Sequence, residues 1–341
     1  TKYSEDYEWL ATILEKSSWL PLFLFVILFF IVALLFALNP TKLVDRIGKI
    51  LTPILLAVIV ILVVKGIVSP LGSLPEATGD YAKQPFFTGF IEGYATMDAI
   101  ASLVFGIIII NAIKQRNVTD PTIIAKSTIK AGFISAVLLG AVYLSLSYIG
   151  ATSRALTKDA DNGGAILSII AQELYGSTGT AILGAAILFA CLTTAIGLIS
   201  ACGEFFSKII PHVTYKQVAI VTTIVGATIA NVGLATLIEI TIPVLLMIYP
   251  VAIVLMILTF LHPFFNGYQA VYVGAVIGAA LISIFDGLSA FGFNVDTVMT
   301  FFTNYLPLYS QQIGWLLPSI IGGLLGFVIA ILIKQEEKPL Q

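Results

Sequence analysis

Nine stretches of this chain are so long and so uniformly apolar that water cannot be their solvent. They are Trp19–Asn39, Ile50–Val68, Phe87–Ile113, Ala131–Ala151, Thr178–Gly203, Val218–Leu234, Thr236–Leu261, Ala270–Gly287 and Ile313–Ile333. A helix of roughly 17–25 residues crosses a hydrocarbon core of about 30 Å. Lipid offers no partner to a bare N–H or C=O, and a helix satisfies its backbone internally. The expectation is an all-α membrane protein, a polytopic helical bundle forming one transmembrane domain over residues 1–341.

Composition agrees. Only 11% of the residues are charged, against roughly a quarter in soluble domains. The mean hydropathy is +1.02. No basic patch points to nucleic acid, so the expected partners are the lipid bilayer and a small molecule. There is no phosphate-binding Gly-x-x-x-x-Gly-Lys-Ser/Thr loop and no His-Glu-x-x-His. An enzyme is not expected, nor is an ATPase subunit or a bound cofactor. Cys191 and Cys202 lie about 16 Å apart along a helix, too far for a bridge, and read as small buried hydrophobes.

Basic residues set the orientation. Lys42, Arg46, Lys49, Lys114, Arg116, Lys126, Lys130, Lys208, Lys216, Lys334 and Lys338 fall on one side of the nine spans. Lys2, Lys16, Lys65, Lys83, Arg154 and Lys158 fall on the other. The richer side is cytoplasmic by the positive-inside rule. That places the C-terminus inside and the N-terminus outside. The chain starts at Thr1 with no signal peptide before its first span, and an odd number of upstream spans would account for both features. The start, Thr1–Ser18, reads as a loop or short amphipathic helix. Ala165–Leu174 reads as another amphipathic helix, in an external loop. Gly274-x-x-x-Gly278 and Gly322-x-x-x-Gly326 are close-packing motifs, and Asp286 reads as an exposed residue at an outer helix end.

Polar groups inside a span are costly and mark function. Two clusters stand out. The first is Thr88-Gly89-Phe90-Ile91-Glu92-Gly93-Tyr94-Ala95-Thr96-Met97-Asp98. Its span is about 27 residues, roughly 40 Å as a straight helix, which leaves room for an unwound stretch. Discontinuous helices of this kind hold substrates in transporters. The candidate substrate residues are Gly89, Phe90, Glu92, Gly93, Tyr94, Thr96, Met97 and Asp98. The alternative is an intact helix whose acids reach the outer interface. The second cluster is Cys191–Glu204, CLTTAIGLISACGE. Its hydroxyls at Thr193, Thr194 and Ser200 are hard oxygen ligands of the type a small cation prefers. The alternative is back-bonding to their own helix.

The run GFIEGYATMDAIASLVFGIIIINAIKQR (Gly89–Arg116) resembles the signature of the bacterial branched-chain amino acid carriers, the LIVCS family of leucine, isoleucine and valine cation symporters. CLTTAIGLISACGEFF (Cys191–Phe206) resembles a second block of that family. The resemblance implies a LeuT-like inverted-repeat fold of the APC superfamily, with twelve spans in the family and the first three absent here. It implies a broken sixth span at Phe87–Ile113. It also implies an eighth span at Thr178–Gly203, whose Thr193 and Thr194 bind Na⁺. The expected function is import of branched-chain amino acids across the bacterial cell membrane by symport with Na⁺ or H⁺. An H⁺-coupled transporter of other small amino acids and a channel are the alternatives.

Overall fold

A computed structural model describes residues 19–38, 42–114 and 116–333, with side chains in the second helix described from Thr52. The amphipathic reading of Thr1–Ser18, and Lys2, Lys16, Lys334 and Lys338, lie outside the described residues. All regular structure among these residues is helical. The helices are α1 (Leu20–Leu38), α2 (Lys42–Val68), α3 (Asp80–Lys83), α4 (Pro85–Glu92), α5 (Asp98–Lys114), α6 (Pro121–Ser153) and α7 (Gly163–Ile209). They continue with α8 (Tyr215–Ala230), α9 (Leu234–Leu261), α10 (Gln269–Ala290), α11 (Asp296–Tyr305) and α12 (Leu316–Leu332).

A helix lies over each of the nine apolar stretches. Five are long and apolar enough to cross a membrane by themselves, and a sixth crossing results if the bent pair α4–α5 counts as one. Thr52–Val68, Tyr215–Ala230 and Leu316–Leu332 are shorter apolar helices. The apolar faces are turned outward: the most apolar window of α6 has none of its residues buried. In water such a surface would be an aggregation liability; in lipid it is solvated.

Helix ends follow local chemistry. Helix α6 begins ten residues before the expected Ala131, because Asp120 caps it and Pro121 occupies the first turn. The Thr122 N–H donates to Asp120 Oδ1 at 2.8 Å. Such a proline loses no helical bond there. A capping box of Thr214 and Gln217 starts α8. Gly176 takes φ 64°, ψ −158° and breaks α7 into two helices. The first covers Ala165–Leu174 and starts from the Asn162 cap, whose Oδ1 accepts from Ala165 N.

The described chain divides into two compact units. The first holds the residues up to Pro75 and Val104–Ala235; the second holds Glu76–Leu103 and the residues from Thr236 on. In the first unit, Ala33 and Ala37 of α1 are buried with Ile196 and Ile199 of α7 and Ala219 of α8. The Tyr215 hydroxyl donates to the Ala37 carbonyl at 2.8 Å. A separate cluster joins Leu62 of α2, Ile149 of α6 and Ile170, Ala171 and Leu174 of α7. Lys65, assigned by the sequence to the outer end of its span, lies in the last turn of α2. Its ammonium donates to the Leu174 carbonyl and sits 4.3 Å from the Tyr175 ring centre. A cation at the end of a helix, where carbonyls lack partners, is favourable.

In the second unit, α10 and α12 pack backbone to backbone through the two glycine motifs. A Cβ on Gly274 would strike the Gly322 carbonyl, and one on Gly278 or Gly326 would strike the Pro318 or Ala270 carbonyl. Val254 and Leu258 of α9, Ala275, Ala279 and Ile282 of α10, and Trp315 are buried in the same core.

The two cysteines are not the buried pair that their apolar surroundings in the sequence suggest. Cys191 is exposed and Cys202 half-buried. Apolar residues in a membrane bundle face lipid as readily as protein, so hydrophobicity alone does not signal burial.

Candidate functional site

The third apolar stretch is broken. Gln84 precedes Pro85, which starts α4, and Thr88 Oγ1 bonds back to the Gln84 carbonyl at 3.0 Å. Helix α4 ends at Glu92 and passes into a 3-10 turn, Gly93–Thr96. Met97 then takes the left-handed conformation, φ 60°, ψ 6°, before α5 begins at Asp98. The two halves are bent by 45°. A non-glycine residue there costs about 1–2 kcal/mol and persists because its surroundings hold it.

The joint is stitched by its own polar residues. Thr96 Oγ1 donates to the Gly93 carbonyl at 2.8 Å and accepts from Asp98 N at 3.4 Å. Asp98 sits in the first turn of α5, where the helix dipole favours an anion. Glu92 sits at the end of α4, where the dipole disfavours one. The break is therefore at Gly93–Met97. Gly89 lies within α4, and its carbonyl accepts from Gly93 N.

Tyr94 is the buried member of the candidate set, 5% exposed. Its ring stacks on Tyr249 of α9 with centroids 4.5 Å apart and planes at 18°, and meets Phe90 edge-on at 5.6 Å. Leu245 completes the buried cluster. Gly89, Phe90, Glu92, Thr96 and Met97 are exposed, and Gly93 and Asp98 are half-buried. The joint thus has an aromatic wall and open polar groups around it.

Two further cavities meet the joint. One, about 210 Å³, is lined by Ile91, Glu92, Tyr94, Ala95 and Gln312. The other, about 360 Å³, shares Tyr94 and Gln312 and reaches Asp286, Tyr309 and Trp315. Asp286 is not the exposed helix-end residue the sequence suggests. It lies one turn inside α10, half-buried, and accepts a hydrogen bond from the Tyr309 hydroxyl at 2.8 Å. Burial, then the hydrogen bond and charge of Asp286, push the Tyr309 hydroxyl above its ordinary value, so it remains a donor. No spacing motif links these two residues; the turn Tyr309–Gln311 brings them together.

Thr193 and Thr194 belong to the first unit. The Thr193 hydroxyl donates to the Ala190 carbonyl at 2.9 Å and is half-buried, whereas Thr194 is exposed. Back-bonding uses the hydroxyl proton and leaves oxygen lone pairs as acceptors. In the same unit Asn111 Nδ2 donates to Glu204 Oε2 at 3.0 Å, tying the end of α5 to the end of α7.

Apolar helices long enough to cross a membrane, with one pair bent at a break that has aromatic and acidic groups beside it, are what a membrane transport protein presents. The model of the family described as branched-chain amino acid transport protein matches residues 4–333, and the chain belongs to that family. It is 46% identical to the branched-chain amino acid permease BraB of Bacillus subtilis over 319 residues, 94% of this chain and 72% of the relative. It is 42% identical to the branched-chain amino acid transport system 2 carrier protein of Pseudomonas aeruginosa, over 90% of this chain and 70% of the relative. It is 36% identical to the permease BrnQ of Escherichia coli K12, with the same two shares. The family and these relatives are transport proteins, not enzymes. No solved structure matches the chain.

Proposed function

We propose that this protein is a secondary carrier that imports leucine, isoleucine and valine across a bacterial cell membrane by cation symport, with Na⁺ as the coupling ion. It works without an ATPase subunit, as nine spans in a LeuT-like inverted-repeat bundle with a cytoplasmic C-terminus. The carrying observation is the 45° break with Tyr94 buried at its joint. A break frees backbone groups that the bilayer cannot satisfy, so they are tolerated only where protein or a ligand covers them. A half-helix end can then meet a charged group of an amino acid. Phe90, Tyr94 and Met97 offer the apolar surface for a branched side chain. Each methylene in such a pocket is worth about 1–3 kcal/mol, enough to prefer leucine over alanine. Thr193 and Thr194 are the proposed Na⁺ ligands.

H⁺ coupling is the second reading, because Glu92 and Asp98 flank the break and both are carboxylates. Glu92 and Asp98 are then the proton carriers.

The test is protection of a cysteine at the joint. Ala95→Cys is introduced with Cys191→Ser and Cys202→Ala into the protein made from its full reading frame. Leucine, isoleucine and valine are expected to slow its maleimide labelling about tenfold at saturation, and alanine to leave it within about twofold. Labelling indifferent to all four amino acids in protein that binds leucine would remove the substrate from the break.

A further inference from the structure

We propose that Asp286 holds the ammonium group of the amino-acid substrate, inside the cavity that adjoins the break; the inference rests on the transport reading above. The cavity measures about 360 Å³, within the range of small-molecule sites. Asp286 brings the formal charge to its wall. It accepts a hydrogen bond from Tyr309, and among the described residues no basic group pairs with it. A half-buried carboxylate in an apolar bundle is costly without a counter-charge. A cationic guest supplies one.

The rest of the wall fits the rest of an amino acid. The Tyr94 hydroxyl and the Trp315 indole N–H are buried neighbours, and neither makes a well-aligned hydrogen bond to the protein. Both residues line this cavity, and each carries a buried donor of the kind a carboxylate accepts from. The aromatic faces of Tyr94 and Tyr309 attract a cation in their own right. Leu246 and Met299 complete the lining with apolar surface. A bare metal ion is a poor match, because it needs several oxygens converging at short distance, whereas a cavity of this size with one carboxylate suits an organic ammonium. Tyr94, Leu246 and Gln312 are shared with the 210 Å³ cavity at Glu92 and Ala95.

The experiment separates the two ends of leucine. Isoamylamine is leucine without its carboxylate, and isocaproate is leucine without its ammonium. Binding of each to the purified full protein is measured by calorimetry. Asp286→Asn is expected to weaken isoamylamine about tenfold or more, the loss typical of a truncated charge pair, and to leave isocaproate within about twofold. Tyr309→Phe, which frees the carboxylate to turn, is expected to give a smaller loss of the same selectivity. Equal weakening of both ligands, or of neither, would overturn the assignment, as would a change in Na⁺ dependence alone. A second measurement uses the wild-type protein, so it survives a variant that does not fold. Isoamylamine, and not isocaproate, should protect Asp286 from carbodiimide modification read by mass spectrometry; absent protection overturns the proposal. Failure of leucine uptake in protein whose Asp286 still binds isoamylamine would sink the transport reading and keep the site.

Discussion

Gly278→Leu leaves no folded protein to purify, while Gly132→Leu is tolerated. A Cβ at Gly278 would meet the Pro318 carbonyl group and the Ser319 nitrogen, backbone atoms of α12. At Gly132 on α6 it would meet nothing within 4 Å. Overpacking usually costs about 1–3 kcal/mol where side chains can move aside. Here the obstacle is backbone, repeated at Gly274, Gly322 and Gly326, so the whole α10–α12 contact must separate. A loss above about 3 kcal/mol is large against a total stability of roughly 5–15 kcal/mol. Size-exclusion profiles and thermal aggregation in detergent check the pair. A monodisperse Gly278→Leu protein with wild-type thermal stability would mean that the two helices do not pack this way.

Thr193→Ala with Thr194→Ala raises the Na⁺ concentration for half-maximal leucine uptake about tenfold or more, as expected for two lost oxygen ligands at about 1 kcal/mol each. Folding should hardly change. Alanine is the better helix former, and the hydrogen bond lost at Thr193 runs to its own helix. The measurement is uptake against external Na⁺ at fixed leucine. An unchanged Na⁺ dependence would take both residues out of the ion site. Retained uptake under a proton gradient alone would turn attention to Glu92 and Asp98.

The helical membrane class could be read from the apolar runs because the bilayer restricts a chain so severely. Helix ends were less legible. Asp120 and Pro121 extend α6 into a segment whose Lys126 and Lys130 resemble a loop by hydropathy. The break could be read from Gly89, Gly93, Thr96 and Asp98 crowded into one span. Its position could not, since the left-handed turn falls on Met97 rather than on a glycine. Tyr94 belongs to the polar run that the sequence singles out, but its stacking on Tyr249 of α9 is a tertiary fact. The setting of Asp286 is not legible in the sequence, because its partner is 23 positions away, across α11 and a turn whose path no local pattern specifies. The cysteines misled for a different reason: lipid rewards the same residues that a protein interior does.

The most direct measurement is uptake of radiolabelled leucine into proteoliposomes bearing the protein from its full reading frame, with and without an inward Na⁺ gradient. Accumulation driven by the gradient, abolished by excess isoleucine or valine and little affected by alanine, is the expected result. No leucine accumulation under either a Na⁺ or a proton gradient, from protein shown to be folded, would contradict branched-chain amino acid import by this chain.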